Sequence, residues 1–438
     1  MKTTDKTPVV SKAILLPFIL ITSLFALWGF ANAVTDPMVQ AFKKVLELSN
    51  SQAAWVQMAF YGGYFCMALP AALFVRKYSY KKGIIIGLIL YAVGALLFYP
   101  AATNEQFWFF CLGLYVLTFG LAFLETTANP YILSMGDSKT AIQRLNLAQA
   151  FNPVGLVLGL LAAKYFVLEN LQSDDFDDFG ALSEAKKALI RTSDLMVIRD
   201  PYVILGLVVL VVLVLILLSK MPQVRAKEEE VSLSKTFSGL FKNKRYAYGV
   251  LSLVLYMGAQ IMCWTYIYQY AEGINITADV AANYQLCAFI LFTIGRAIGT
   301  YLLKFMSSSR LLLYFSILGM LCCLATMFIQ NEIGLYCLVL VSLFLSIMFP
   351  TIYGIALNGL SEEDSKIGAA GLVMAIVGGA LLPQLQGILI DLGGSAVNDI
   401  SILGVSEINF SFILPAVCFL LIAFYSIGVY KGRITANQ

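Results

Sequence analysis

Residues Leu124 to Tyr131 read L-E-T-T-A-N-P-Y, and they lie inside an apolar run from about Phe107 to Leu133. About 20 apolar residues carry a helix across the hydrocarbon core of a bilayer, so this run reads as a membrane span. Glu125 sits near its middle. A charged side chain at the centre of such a helix costs roughly 2.5–3.5 kcal/mol on insertion scales. The carboxyl is therefore protonated, paired, or facing a wet cavity. Each of these makes Glu125 a candidate functional residue.

The rest of the chain fits a span at that position. Of its 438 residues, 60% are hydrophobic and 13% charged, whereas a soluble domain is about 25% charged. The expected fold class is an all-α polytopic membrane protein. Apolar runs of helical length predict twelve transmembrane helices, at roughly 13–36, 53–75, 83–101, 107–133, 143–168, 202–220, 246–270, 280–304, 311–329, 333–358, 368–391 and 408–430. The connection 169–200 is acidic (Asp174, Asp175, Asp177, Asp178). The connection 221–245 is basic, and it separates six spans from six. The expected domains are a six-helix bundle over 1–220, a cytoplasmic linker over 221–245 and a second six-helix bundle over 246–438.

Lys2, Lys6 and Lys12 precede the first apolar run, and Ala31-Asn32-Ala33 resembles a cleavage site. The run is longer than the core of a signal peptide, so an uncleaved first helix is expected. With both termini placed in the cytoplasm, 21 of the 29 Lys and Arg residues fall on the inner side. Six fall on the outer side and two, Lys164 and Arg296, within spans. That bias predicts cytoplasmic termini and a multi-pass protein of a bacterial cytoplasmic membrane. Lys164 is expected to snorkel outward. The chain has no histidine, which excludes His-built metal sites and His proton relays. Its eight cysteines contain no C-x-x-C, lie in apolar runs and read as buried structural thiols.

The two halves look duplicated. Arg76 and Lys304, like Lys82 and Arg310, differ by 228 positions; Gly29 and Gly258 differ by 229, and Pro130 and Pro350 by 220. Two six-helix halves related by an axis along the membrane normal are one established transporter architecture.

Polar residues cluster within the spans at helical spacing. Asn32 and Asp36 are i, i+4, as are Glu125 and Asn129; Asn146, Gln149 and Asn152 are three apart. Residues so spaced share a helix face and would offer donors and acceptors to a polyhydroxylated solute. Trp28 and Trp264 would supply an apolar stacking face. Gln260 lies one turn before Trp264, and Asn283 and Arg296 add polarity to the eighth span. Structural readings compete with these. Asn129 beside Pro130 would satisfy backbone groups that the proline frees. Asn146 near Arg144 fits the inner interface. Asp36 before Pro37 would cap a helix end, and Arg296 would be part of the framework. Glu125 has no comparable reading, since no basic residue is near it in sequence. The second half is more apolar: span 11 carries Gly378-Gly379 and Pro383 where the first half has Gln149 and Asn152.

Leu27-Trp28 with Asn32 and Asp36, Leu124 to Tyr131, and Arg144-Leu-Asn-Leu-Ala-Gln-Ala-Phe-Asn152 resemble the fucose–galactose–glucose:proton symporter branch of the major facilitator superfamily. So do Gln260-x-x-Cys263-Trp264-x-Tyr266, Ala281-Ala-Asn-Tyr284 and Pro350-Thr-Ile352. The resemblance covers nearly the whole chain. It implies proton-linked roles for Asp36 and Glu125. It also implies sugar contacts near Gln149 and Asn152, with Trp28 and Trp264 lining the path. Glu125 favours the fucose type, because glucose/galactose members often carry Gln there. Two departures stand out: Ala33 occupies a position where relatives can carry a second Asn, and the basic turn at 76–82 lacks the acidic residue of the family's G-x-x-x-D-R-x-G-R-K loop.

The expected function is proton-coupled sugar import by alternating access, with L-fucose or a closely related 6-deoxyhexose or hexose as substrate. Proton-coupling residues would be Glu125 and Asp36. Substrate-binding residues would be Asn32, Gln149, Asn152, Trp28, Gln260, Trp264 and Asn283. No cofactor beyond the co-transported proton, no metal and no nucleic-acid partner is expected, and the expected state is a monomer in the lipid bilayer. The alternatives are a glucose/galactose transporter of the same branch, sodium coupling, and a non-transporting sugar sensor. Enzyme motifs such as H-E-x-x-H, G-x-S-x-G and the P-loop are absent from the sequence.

Overall fold

The computed structural model describes residues 9–47, 50–176, 182–222, 233–276, 278–390, 392 and 400–434. Among them, twelve helices are long and apolar enough to cross a membrane. They are Leu15–Thr35, Ala59–Lys77, Tyr80–Asn104, Phe107–Ser134, Ser138–Val167 and Glu184–Leu218 in the first half. The second half has Lys244–Thr265, Asn283–Leu302, Ser308–Phe328, Glu332–Leu357, Asp364–Ile390 and Glu407–Tyr430. These are called the first to twelfth spans below. The protein is an all-α membrane protein of twelve spans.

Several helices run past their apolar cores. The first continues from Leu15 to Val45 through Asp36 and Pro37. Asp36 therefore lies inside a helix and caps no end. The sixth begins at Glu184 and has 35 residues, about 52 Å at 1.5 Å per residue, so it exceeds the hydrocarbon thickness. Much of the acidic connection expected over 169–200 is thus helix. Its polar start is held by ion pairs from Lys187 Nζ to Glu47 Oε1 (2.9 Å) and from Arg191 Nη2 to Glu47 Oε2 (3.2 Å). Of the expected linker over 221–245, residues 223–232 lie outside the described residues, while Leu233–Lys242 is a helix.

The chain forms two compact units. The N-terminal unit holds Val10–Met135 and Phe151–Arg225. The C-terminal unit holds Met1–Val9, Gly136–Ala150 and Ala226–Gln438. Against the halves expected from sequence, Val9 and Gly136–Ala150 both differ, and the latter, the first part of the fifth span, packs with the second half. Polar side chains hold it there. Gln143 Nε2 donates to the Thr300 carbonyl (3.4 Å) and Asn146 Nδ2 to Thr351 Oγ1 (3.3 Å). The buried Arg144 donates through Nη1 to Thr140 Oγ1 (3.2 Å) and to the Val9 and Asp137 carbonyls (3.4 Å each).

Each unit contains helix seams at backbone contact, and two of them bear on the site. In the N-terminal unit, a Cβ on Gly155 of the fifth span would lie 1.9 Å from the Ala26 carbonyl oxygen of the first. In the C-terminal unit, a Cβ on Gly378 of the eleventh span would lie 2.1 Å from the Val254 carbonyl oxygen of the seventh. Small residues let membrane helices approach this closely. The pair Gly29 and Gly258, matched by sequence offset, take part in these two seams: Gly29 abuts Asn152 and Gly258 abuts Leu382. The duplication therefore extends from sequence spacing to packing.

The thiols are only partly buried. All eight are free. Cys111, Cys263, Cys323 and Cys418 are buried, while Cys66 and Cys287 are exposed, contrary to the uniform burial expected from their apolar surroundings. A helix that crosses a bilayer can leave an apolar residue uncovered by protein at no aqueous cost.

Candidate functional site

In the N-terminal unit, the polar candidates stand on the first, fourth and fifth spans. Glu125 is half-buried in the fourth span, a helix unbroken from Phe107 to Ser134 despite Pro130. Its carboxylate has no basic partner and no hydrogen bond among the described residues, and Tyr64 of the second span lies within its electrostatic reach. Asn129 stands one turn further along the same helix. Its Nδ2 donates to the Glu125 backbone carbonyl at 3.0 Å, one residue before the Thr126 carbonyl that Pro130 leaves without its helical donor.

On the first span, Trp28 and Asn32 are one turn apart. Trp28 is 3% exposed and packs edge-on against Phe25, with ring centroids 4.6 Å apart. Its Nε1 and the Asn32 Oδ1 are both buried without a hydrogen-bond partner among the described residues. A buried donor and a buried acceptor left unused on one helix face are unusual, since most buried polar atoms are paired. Asn152 of the fifth span reaches the same stretch, donating through Nδ2 to the Phe25 carbonyl at 3.2 Å. The seam at Gly155 and Gly29 holds it there. Asp36 belongs to the first helix, but its side chain lies outside the described residues.

In the C-terminal unit, the candidates build around Arg296. Gln149 is 5% exposed, and both its backbone oxygen (3.2 Å) and its Oε1 (3.3 Å) accept from Arg296 Nη1. The guanidinium lies over the Phe292 ring, 5.1 Å from its centroid. Phe292 and Phe289 both meet Trp264 edge-on, at 5.2 and 4.8 Å. Trp264 Nε1 donates to Ser342 Oγ at 3.1 Å, and Gln260 is buried one turn earlier on the same helix. Asn283 is exposed near the start of the eighth span. The residues of that span that meet Trp264 are Phe289 and Phe292, two turns further along. Trp28 and Trp264 are both buried, so little of either ring is open for stacking in this structure.

The fifth span does not present Asn146, Gln149 and Asn152 as one continuous row. Its first helical stretch ends at Gln149 and the next begins at Phe151. Pro153 lacks the N–H that would bond the Gln149 carbonyl. Asn146 and Gln149 take partners in the C-terminal unit, and Asn152 takes its partner in the N-terminal unit.

The family model described as Major Facilitator Superfamily matches residues 18–383. The chain belongs to the major facilitator superfamily. Among its relatives in this superfamily is a protein of Haemophilus influenzae named L-fucose-proton symporter. It is 53% identical over 429 residues, which cover 97% of this chain and 98% of that protein. A crystal structure of the E. coli fucose:proton symporter superposes with a TM-score of 0.84 at 33% identity, covering 95% of this chain and 99% of the other. A Brucella abortus glucose/galactose transporter is 30% identical over 410 residues, covering 93% of this chain and 92% of that one.

Within this major facilitator chain, sequence reasoning left Arg296 in the framework and did not name Tyr64, whereas Arg296 donates to both oxygens of Gln149 and Tyr64 stands within electrostatic reach of Glu125. A cation inside a span was itself the signal for Arg296. No spacing rule links Tyr64 to Glu125, because they stand on different helices.

Proposed function

We propose that this chain imports L-fucose together with a proton by alternating access. The observation that carries the reading is Glu125: a carboxylate in the interior of the fourth span with no basic or hydrogen-bonding partner among the described residues. It is seconded by the 53% identity to a protein named for this activity. A carboxyl group in that position can take up and release a proton, and in its neutral form it can donate as well as accept. Asp36 shares the proton linkage. Asn32, Asn152, Trp28, Gln149, Gln260, Trp264 and Asn283 are the residues proposed to offer hydrogen-bonding and apolar contacts to the sugar. The protein works as a monomer in a bacterial cytoplasmic membrane with both termini inside, following the basic bias of its inner loops. It uses no cofactor and catalyses no covalent step.

The glucose/galactose reading has its own support in the Brucella abortus relative. Uptake into proteoliposomes under imposed gradients separates the two. Labelled L-fucose, D-glucose and D-galactose are offered with an inward proton gradient, then with an inward sodium gradient. The expected result is uphill accumulation of L-fucose driven by protons alone. Accumulation of D-glucose in its place overturns the substrate, and accumulation driven by sodium overturns the coupling ion.

Trp28 gives a second measurement. Trp28→Phe keeps a ring against Phe25 and removes the unpartnered N–H. A neutral hydrogen bond contributes about 0.5–1.5 kcal/mol net, so the affinity for L-fucose is expected to fall about fivefold. Unchanged affinity in a calorimetric titration removes the N–H from the sugar contacts.

A further inference from the structure

One basic feature that the transport chemistry does not use is built twice. A short turn joins the second and third spans at 78–79, and another joins the eighth and ninth at 303–307. Ser79 caps the third span by accepting from the Lys82 N–H at 3.2 Å, and Ser307 caps the ninth by accepting from the Arg310 N–H at 3.4 Å. The two serines differ by 228 positions, as do Arg76 and Lys304, and Lys82 and Arg310. Each turn also docks, through a cation, on the end of the last span of its own unit. Lys81 Nζ donates to the Leu217 and Ser219 carbonyls at the end of the sixth span (3.2 and 2.8 Å), where a helix terminus favours positive charge. Arg310 Nη2 donates to Tyr430 Oη at the end of the twelfth (2.7 Å), and its guanidinium lies over that ring.

Beyond these docking cations, each turn is ringed by positive charge without a counterpart. Lys77, Lys82 and Lys220 surround the first, and Lys304, Lys431 and Arg433 the second. All six are exposed, and none has a carboxylate within ion-pair distance among the described residues. The stretches 70–82, 214–225, 301–312 and 428–434 contain no Asp or Glu. Lys77 and Lys82 lie over the Tyr78 ring at 5.6 and 5.1 Å, and Lys304 over Tyr301 at 5.3 Å. Tyrosines at span ends sit at headgroup level. Exposed apolar side chains lead away from each patch along the docked span, Leu215 and Leu218 on the sixth and Leu421 and Phe424 on the twelfth.

We propose that each turn, together with the helix end it docks on, binds the phosphate headgroup of an anionic phospholipid, giving the chain two matched lipid sites, one in each unit. Charge complementarity selects the headgroup, since basic pockets between membrane helices suit anionic lipids. The apolar helix surface beside it selects a lipid over a soluble anion, because acyl chains can lie along it. Basic residues beside spans also fix orientation during insertion. For that purpose alone docking is superfluous, and any exposed lysine counts equally. The two accounts separate when charge is removed at different places.

The test is native mass spectrometry of the purified full chain in detergent, titrated with phosphatidylglycerol and, separately, with phosphatidylcholine of the same acyl chains. The wild-type protein is expected to bind two phosphatidylglycerol molecules about tenfold more tightly than phosphatidylcholine. Lys77→Gln with Lys82→Gln and Lys220→Gln is expected to lose one of the two, and Lys304→Gln with Lys431→Gln and Arg433→Gln the other. At the altered site the preference should fall below about twofold. The six side chains donate no hydrogen bond among the described residues, and each triple variant reports its own folding through the site it keeps. Lys139→Gln with Lys164→Gln and Lys186→Gln removes three exposed charges elsewhere and is expected to keep both sites. An equal loss in this third variant overturns the inference, because total charge then governs. So does a wild-type protein that does not distinguish the two lipids, or a preference that survives all six substitutions. Glu228→Gln with Glu229→Gln and Glu230→Gln is expected to leave both affinities unchanged. A rise in this variant overturns the lipid as occupant, because the chain's own carboxylates then hold the site.

Discussion

Glu125→Gln is expected to leave sugar exchange running and to abolish proton-driven accumulation. Glutamine has the shape of a protonated glutamate and keeps one donor and one acceptor, so it reproduces the proton-loaded state. It cannot return to the charged state. In the working cycle the charged state is the one that forbids sugar from crossing without its proton: carrying a bare carboxylate and bound sugar through a dry occluded state costs roughly 2.5–3.5 kcal/mol or more. With Gln that restriction is gone, and the carrier can reorient with or without its cargo.

The magnitude follows from the gradient. One pH unit stores about 1.4 kcal/mol, which at one proton per sugar supports about tenfold accumulation. Proteoliposomes holding the wild-type protein are expected to approach that ratio under an imposed unit gradient. Those holding Glu125→Gln are expected to stop near a ratio of about one, while counterflow of labelled sugar continues. The result that sinks the proposal is accumulation by the variant equal to wild type. Loss of counterflow as well would assign Glu125 to the sugar site in addition to the proton path. The absence of a basic partner for Glu125 among the described residues makes the prediction sharp, because the substitution breaks no ion pair and so disturbs little else.

The parts legible in the sequence were those written in hydrophobicity. All twelve spans stood out because each is a run of apolar residues of bilayer length, and Glu125 stood out because it violates one of those runs. The duplication was visible in glycine and basic-residue offsets, and the seams at Gly155 and Gly378 give that spacing its physical meaning. What was illegible lay outside the membrane rule or between distant segments. The polar start of the sixth helix at Glu184 has no apolar signal, and its holding partner Glu47 lies over 130 residues earlier. Pro37 suggested a helix end, yet packing carries the first helix on to Val45. Pro153 was readable as the cause of a freed carbonyl at Gln149. The group that answers it, Arg296, comes from another span, and helical spacing relates residues within one helix only. For the same reason the row Asn146, Gln149 and Asn152 looked continuous in sequence, while in the fold its members serve two units.

Gly155→Ala is expected to damage the protein far more than its single added methyl suggests. The new Cβ would stand 1.9 Å from the Ala26 carbonyl oxygen and 2.7 Å from the Ala26 carbonyl carbon. Carbon and oxygen do not approach closer than about 3.3 Å even in a C–H···O contact. No side chain can step aside, since the obstacle is backbone, so the first and fifth spans must part by on the order of 1 Å. Overpacking of this kind costs about 1–3 kcal/mol. For a unit of this size the apparent melting midpoint in detergent, at fixed scan rate, should drop by about 5 °C. The same movement pulls Asn152 from the Phe25 carbonyl and shifts it relative to Trp28 and Asn32, so sugar affinity should fall together with stability. Gly378→Ala should lower the midpoint similarly through the Val254 oxygen at 2.1 Å. Gly62→Ala is the control: its nearest neighbour, Tyr115 Cε2, is at an ordinary 3.9 Å, and neither midpoint nor affinity should move. A Gly155→Ala protein that melts like wild type would mean that the seam is not closed at backbone contact. The position assigned to Asn152 beside Phe25 and Trp28 would then be wrong.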